Sequence, residues 1–435
     1  MRRRVGGWRT SVLSRMLTAC VALSCAPGCA SWPRAFGNSP CCIDGKPAVA
    51  RQTIGWHLFD VTVLSQLTRA FHVVRVGRHV LGVPVRALNL HGEELPEGTF
   101  FTNRDPQRLA PDEVRWGPTR PEDVGQGPFL VTKPKTEGKT PGAFVADARG
   151  VRYLFKLDPA NAPELLSGAE VVTSKLLYAL GYHVPSYEVL FVPPAELRLG
   201  EGLTVRDAQG RPRPFTEDDL RALVEGRLRD GLLRVSASKI LEGEILGPAH
   251  FKAFRDCAEL RALRLMYAWV NNVDAKDHNS LLVWDGTRTV GYLIDFGTSL
   301  GADAGLGAPK TPCEGWTYRV DFKEAWSELV TFGLHRPACE PERRIVSPGV
   351  GLFLPSLDPD RWKPYAPNLA FQEMNDDDGR WIARRISRLS RPQIEAAVSA
   401  GQYRDPADAA YLVDALEQRR QAIIRRYLGT DAPRD

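Results

Sequence analysis

The stretch Asn272-Val273-Asp274-Ala275-Lys276-Asp277-His278-Asn279, followed by Leu293-Ile294-Asp295-Phe296-Gly297, decides how this chain is read. Just upstream, Ala258 to Asn271 is apolar at helical spacing and predicts a helix that runs into the polar loop. Ser280 to Trp284 and Thr289 to Ile294 predict strands on either side of the Asp285-Gly286 turn. A carboxylate and an amide five residues apart thus leave a helix, and a second carboxylate ends a hairpin strand. Asn279 and Asp295 offer hard oxygens of the kind magnesium takes. Asp274 is placed to accept a hydroxyl proton, and Lys276 to stabilise charge on a transferred phosphoryl group. A lone Asp-Phe-Gly carries little weight, but three donors in this order are hard to produce by accident. The plain alternative for Asp274 is a turn or cap, and for Lys276 a solvated loop lysine. His278 is read as a structural histidine, and Asp277 as a weaker candidate for a second acid or metal ligand.

Working upstream, Phe129-Leu130-Val131, Ala143-Phe144-Val145 and Val151 to Leu157 are short β-prone runs punctuated by Gly138, Gly142 and Gly150. They predict a small antiparallel sheet. Tyr153-Leu154-Phe155-Lys156 would present a lysine from its third strand. A helix is predicted from Gly168 to Leu180, with Gly181 as its stop. Glu170 opens that helix and competes with Glu164 as the partner of Lys156. Tyr187 to Val192 and Leu233 to Ile240 read as further strands. Pro193 to Leu232 reads as an insertion with a hairpin near Gly210 and a helix from Glu217 to Arg227. Helices are predicted near Phe322 to Phe332, Asp378 to Leu389, Pro392 to Ala400 and Pro406 to Leu428. Asp376-Asp377-Asp378 is read as a helix cap, and Arg419-Arg420 with Arg425-Arg426 as a solvated helical face.

The pattern resembles the protein-kinase catalytic loop and magnesium motif, D-x-K-x-x-N followed by D-F-G, at Asp274, Lys276, Asn279, Asp295, Phe296 and Gly297. Lys156 and Glu170 look like that family's nucleotide-anchoring ion pair. Ala169 to Pro185, ending in Leu180-Gly181-Tyr182-His183-Val184-Pro185, is similar to the HipA-like kinases. These sit with the CotH and phosphatidylinositol kinases in an atypical branch of the fold. The resemblance spans about Phe129 to Ser299. It implies an α+β, bilobal protein-kinase-like fold that binds ATP and magnesium and phosphorylates a hydroxyl, such as a protein serine or threonine. A small-molecule kinase, a nucleotidyl transferase, or a kinase-like protein that binds without turnover would keep the same residues. The usual His-Arg before Asp274 is missing. The phosphate-covering loop, Lys133 to Gly142, lacks G-x-G-x-x-G. Pro312-Cys313-Glu314 is a weak counterpart of the segment-ending Ala-Pro-Glu.

The expected organisation is a leader over 1–29, a linker over 30–50, an N-terminal extension over 51–128, a β-rich lobe over 129–245 with an insertion near 193–232, and a helical lobe over 246–435. Within the extension, His57 to Phe71 predicts a helix, and Asn89 to Pro128 a turn-rich surface wrap. The leader has five arginines, then a short apolar run from Met16 to Leu23, then small residues and cysteines. That order reads as an export signal, with Cys20, Cys25 or Cys29 as the residue for a lipid anchor to a membrane. A cytosolic protein with a basic extension is the alternative. The net charge of +5 is spread along 435 residues without basic-aromatic runs, so no nucleic-acid partner is implied. The eight cysteines show no zinc spacing. Disulfides among the five beyond the leader are compatible with export, but spacing does not choose their pairing. Neither the acceptor nor the oligomeric state is legible.

Overall fold

A computed structural model describes residues 40–429, apart from 137, 139, 208, 333, 336–338 and 340–344. The leader, with Cys20, Cys25 and Cys29, lies outside the described residues. The extension begins with α1 (Ile54–Phe59), which passes through a wide turn at Asp60–Leu64 into α2 (Ser65–Ala70). Next come α3 (Val73–Val80) and α4 (Pro111–Trp116). The β-rich part then forms from β1 (Phe129–Pro134), β2 (Gly142–Ala146), β3 (Arg152–Leu157), α5 (Leu165–Ala179), β4 (Tyr187–Val192), β5 (Leu197–Leu199), the hairpin β6 (Thr204–Arg206) and β7 (Pro212–Pro214), α6 (Glu217–Val224), β8 (Leu228–Arg229) and β9 (Leu232–Lys239). The sheet order is β4-β9-β3-β2-β1-β5, with β8 on β9. All of these pairings are antiparallel except β1 with β5. The inward residues of these strands, among them Val131, Val145, Phe155 and Val235, make a small core of their own. The insertion is therefore joined to the sheet at two places, through β5 and β8.

The second part is mostly helical. A three-stranded sheet, β10 (Glu244–Gly247), β11 (Ser280–Trp284) and β12 (Thr289–Leu293), brackets the long buried α7 (Ala258–Val270). A short pair, β13 (Ala302–Asp303) and β14 (Ala308–Pro309), follows, then α8 (Phe322–Val330), α9 (Leu369–Gln372), α10 (Asp376–Ser387), α11 (Arg391–Ser399) and α12 (Pro406–Leu428). The expected α+β architecture, β-rich first and helical second, is what the chain adopts. α7 is the axis of the larger core: Leu263, Met266 and Trp269 are fully buried, and the Trp269 indole donates to Leu416 O at 2.7 Å. α10 starts two residues before the expected Asp378, and its cap is Asn375 rather than the acidic run, with Asn375 and Asp378 bonding each other's backbone in a capping box.

Three expectations give way. Arg419 and Arg420 are buried rather than solvated. Arg419 donates to the carbonyls of Ala268 and Trp269 at the end of α7, satisfying acceptors the helix itself cannot pair. The stretch from Asn89 to Pro128 is more than a surface wrap. Phe100, Phe101 and Val114 are fully buried, and the Lys175 ammonium of α5 reaches back to Trp116 O at 2.8 Å. This second cover is why α5 is buried on nearly every side rather than on one apolar face. Finally, residues 41–45 are not linker. Ile43 pairs with Thr289 at the edge of β12, and Cys41 is disulfide-bonded to Cys257 at the start of α7. A second disulfide joins Cys313 to Cys339, and Cys42 stays an exposed free thiol.

Candidate active site

The site forms where β3, α5 and the loop after β12 meet. Lys156 lies on β3 opposite Gly142 and Ser236 in the ladder. Gly142 cannot carry a side chain, because a Cβ there would sit 2.2 Å from Phe155 O. β2 therefore runs close over the lysine's strand. Two residues on, Asp158 is the device that starts α5. Its carboxylate accepts the amides of Glu164, Leu166 and Ser167 at 2.8 to 3.0 Å, taking up donors that the first helical turn leaves unpaired. The helix consequently begins three residues earlier than its apolar spacing predicts, and Glu170 falls inside it, facing Lys156.

That settles the competition between glutamates. Glu170 pairs with the Lys156 ammonium and accepts the Ser236 hydroxyl at 2.7 Å. Glu164 points elsewhere and accepts the amide of Arg404 at 3.1 Å. Lys156 also donates to Asp295 Oδ1 at 2.8 Å. Burial alone would lower the Lys156 ammonium's pKa, but Asp295 and Glu170 raise it above the ordinary lysine value, so it stays charged. Burial pushes the Glu170 carboxyl up against the pull of Lys156. Asp295 goes the other way. Burial opposes it, but Lys156, then Lys276 and Lys135, hold its carboxyl below the usual range. Three lysines thus bear on one carboxylate whose side chain is 42% exposed.

Asp295 reaches this position through strain. It has φ +62, a left-handed conformation that side chains rarely adopt. Its amide donates to the Tyr187 hydroxyl at 3.3 Å, and Phe296 is fully buried against the Tyr187 ring. Gly297 leaves room for Glu170, since a Cβ there would lie 3.5 Å from Glu170 Oε1 and 3.0 Å from Ala304.

Asn271, at φ +52, ends α7 and turns the chain into the loop. Asn272 Oδ1 accepts from the Asp274 amide at 3.4 Å and from the Thr298 hydroxyl at 3.0 Å, so it holds both motif loops. Asn279 does the same from the other end. Its side-chain amide nitrogen donates to Asp274 O at 2.8 Å, and its backbone carbonyl accepts the Ile294 amide at 3.0 Å. The Asn279 side-chain oxygen is then the atom left for a cation. Lys276 pairs with Asp274 at 2.5 Å, both partly open to solvent. Asp277 proves structural. It is buried and turned away, accepting the Phe251 amide at 3.0 Å and facing His250 at 3.1 Å and His57 at 3.4 Å. His278 is structural as expected, its Nε2 bonded to Gln52 O at 3.0 Å.

The predicted site residues therefore fall into one connected set. Lys156, Glu170 and Asp295 touch directly, while Asp274, Lys276 and Asn279 hang from the adjoining loop. Sequence reading missed the supports: Ser236, Tyr187, Asn272 and Lys310. Lys310 is buried and donates to the carbonyls of Asn271, Thr298 and Leu300 at 2.7 to 2.8 Å, which ties the segment after Asp295 to the end of α7. Nothing in its neighbourhood of the sequence marks it out, because its acceptors are backbone atoms.

Magnesium takes one or two protein carboxylates or carbonyls and keeps waters and phosphate oxygens as its other ligands. Asp295 and the Asn279 side-chain oxygen fit that donor set. Among the described residues, no cluster of three or more histidines, cysteines or acids forms a closed metal cage.

No protein-family model matches the chain, and no curated protein sequence does either. Among solved structures, the chain is similar to the proinflammatory kinase CtkA of Helicobacter pylori. The identity is 11% and the TM-score 0.35, over 68% of this chain and 96% of that one. It is also similar to the Golgi casein kinase, at 12% identity and a TM-score of 0.31, over 71% of this chain and 76% of that one. Likeness at this level fixes no activity, so the chemistry is argued from the side chains.

Proposed function

We propose that the chain is an ATP- and magnesium-dependent phosphotransferase that modifies a hydroxyl group, with a protein serine or threonine as the favoured acceptor. The observation that carries this is the Lys156 ammonium held between buried Glu170 and accessible Asp295, with Asn279 tying Asp295's loop to Asp274. Phosphoryl transfer is mostly positioning and charge stabilisation, and these residues divide that work. Lys156, oriented by Glu170, binds phosphate oxygens. Asp295 and Asn279 would hold magnesium, which would supply charge neutralisation to the phosphates. Asp274 orients the acceptor hydroxyl and takes its proton. Lys276, beside Asp274, balances the carboxylate before transfer and faces the transferred group during it. Lys135, on the hairpin over the site, adds to the positive field that draws a polyphosphate in.

We also propose that the protein works outside the cytoplasm, anchored through its leader at Cys20, Cys25 or Cys29. The two disulfides support this, since such bonds persist in oxidising compartments.

The test compares thermal unfolding of the wild type and Asp295→Asn, with and without ATP and magnesium. At a hundredfold excess over the dissociation constant, ligand stabilises the folded state by about 2.7 kcal/mol. The wild-type midpoint should rise only when both are present, and Asp295→Asn should lose the rise. Mass spectrometry of incubated acceptors should then show added phosphate. A well-folded wild type that is indifferent to millimolar ATP and magnesium would overturn the proposal.

A further inference from the structure

The first three helices of the extension are built inside out. Of the twenty-six large apolar side chains left exposed among the described residues, thirteen lie between Ile54 and Leu88. On α3, Arg75 is turned toward the protein, where it pairs with Asp256 and Glu373. Val73, Val74 and Val80 point outward at 65%, 66% and 78% exposure, next to Phe71 at 79%. α2 repeats the arrangement, with Arg69 turned in to Gln372 O at 3.1 Å while Leu67 is exposed. A helix at a water interface does the reverse. Apolar patches of this extent mark a surface meant to be covered.

The charges say what covers it. Residues 51–88 hold five arginines and a single acid, Asp60. Arg51, Arg78 and Arg86 are exposed among the apolar side chains and make no ion pair with the described residues. Outward apolar groups with interspersed unpaired arginines match an anionic lipid surface. α8 and the turn after it expose a second apolar group, Trp326, Leu329 and Phe332. Gln66 of α2, at 3.2 Å, and Tyr318, four residues ahead of α8, both meet Gln372 of α9. Among the described residues no helix is long and apolar enough to cross a membrane, so the contact would lie in the plane of the interface. Thirty-nine residues precede the described chain, and Cys29 stands eleven residues before Pro40. At full extension that tether spans roughly 40 Å, short enough to hold this face near a bilayer. We infer that the outward faces of α1 to α3, with α8, form a peripheral docking surface for an anionic lipid bilayer. The inference is independent of the phosphotransferase reading.

The experiment uses the full chain with Cys20, Cys25 and Cys29 changed to Ser, so that no acyl chain can contribute. Flotation is measured with phosphatidylcholine vesicles, with and without phosphatidylglycerol. The protein should float with the anionic vesicles. Phe71→Glu with Val73→Glu and Val80→Glu should weaken binding at least about a hundredfold without lowering the unfolding midpoint. Arg78→Gln should weaken it about fivefold. Leu130→Glu and Leu306→Glu, which remove exposed apolar groups elsewhere, should leave it unchanged. Failure to float, flotation that survives the triple substitution, or a protein dimer that the triple substitution dissolves in place of vesicle binding would each overturn the inference.

Discussion

Changing Lys156 to Met should destabilise the fold chiefly through the glutamate it strands, and changing Glu170 to Gln in the same molecule should restore it. Lys156 is the shared cation of two carboxylates that differ in access to water. Asp295 is 42% exposed at its side chain and can rely on solvent, whereas Glu170 is 1% exposed. Without the lysine, Glu170 keeps the Ser236 hydroxyl as its side-chain donor. Breaking a buried pair from one side costs about 3–5 kcal/mol while the remaining partner stays charged. Glu170 can escape by taking a proton. Burial already raises its carboxyl, and removing Lys156 takes away the main opposing pull. An acid raised in the folded state contributes stability at low pH and loses it as pH climbs through the folded value. Lys156→Met should therefore lie close to wild type at about pH 5 and show its full deficit at about pH 8. With Glu170→Gln added, no charge is buried and the Ser236 bond can persist. The deficit should then shrink to about 1 kcal/mol, a coupling of at least about 2 kcal/mol. Urea unfolding of the wild type, both single variants and the double variant at the two pH values gives these numbers. On the proposed function, the double variant should still gain nothing from ATP and magnesium, because its stability is restored but Lys156 is not. A Lys156→Met protein as stable as wild type at the higher pH, or a double variant no better than that single one, would refute the reasoning.

Glu259 should limit stability at neutral pH. Burial raises its carboxyl to about 7, Asn89 donates to one oxygen at 2.8 Å, and the other has no partner. The acid is neutral in the fold where the unfolded chain has already ionised, so its contribution is lost as pH rises from about 4.5 to about 7. Glu259→Gln should be about 2–4 kcal/mol more stable than wild type at about pH 8 and indistinguishable at about pH 4, and an equal difference at both would contradict the assignment. The Cys41–Cys257 disulfide closes 216 residues of chain. Replacing both cysteines with Ser should lower the urea-extrapolated stability by about 4 kcal/mol, and an unchanged midpoint would show that the Ile43 pairing alone holds this strand.

That the candidate site residues come together was legible because their spacing is set by local structure. A strand lysine, a helix glutamate and two loop termini sit at intervals that one chain can display without reference to the rest. Element types came through for the same reason, with strands marked by β-branched runs and helices by apolar periodicity. What stayed hidden depends on contacts between distant segments. The role of Asp158 as the cap of α5 appears only when Leu166 and Ser167 fold back onto it. Arg419 and Lys310 carry charges that sequence pattern assigns to solvent, yet both are buried on carbonyls at the end of α7. No periodicity announces a cation whose partners are backbone atoms. The extension was misjudged because Phe100 and Phe101 are two apolar residues in a polar neighbourhood, too few to show a period; Phe100 is covered by Phe254, and Phe101 by Tyr182 and Trp381.

The catalytic loop is a case where motif and geometry have different sources. Asp274 and Asn279 are in the motif, but the backbone between them is fixed at Asp277, and every side chain that Asp277 faces comes from outside the loop. Burial works against its charge, yet His250 and His57 hold its carboxyl down at about 2. His57 belongs to α1, and the same helix turns Trp56 and Phe59 outward. The backbone carbonyl of Gln52, just before that helix, accepts from His278 Nε2, so His278 carries a proton on that nitrogen. A helix of six residues thus connects an uncovered apolar surface to the loop that positions Asp274. Displacement of α1 would take His57 from Asp277 and Gln52 from His278, loosening the loop between Asp274 and Asn279. The loop's competence is consequently a property of the docked extension as much as of the motif, and nothing in the spacing of Asp274, Lys276 and Asn279 could have disclosed a support that lies more than two hundred residues away in the chain.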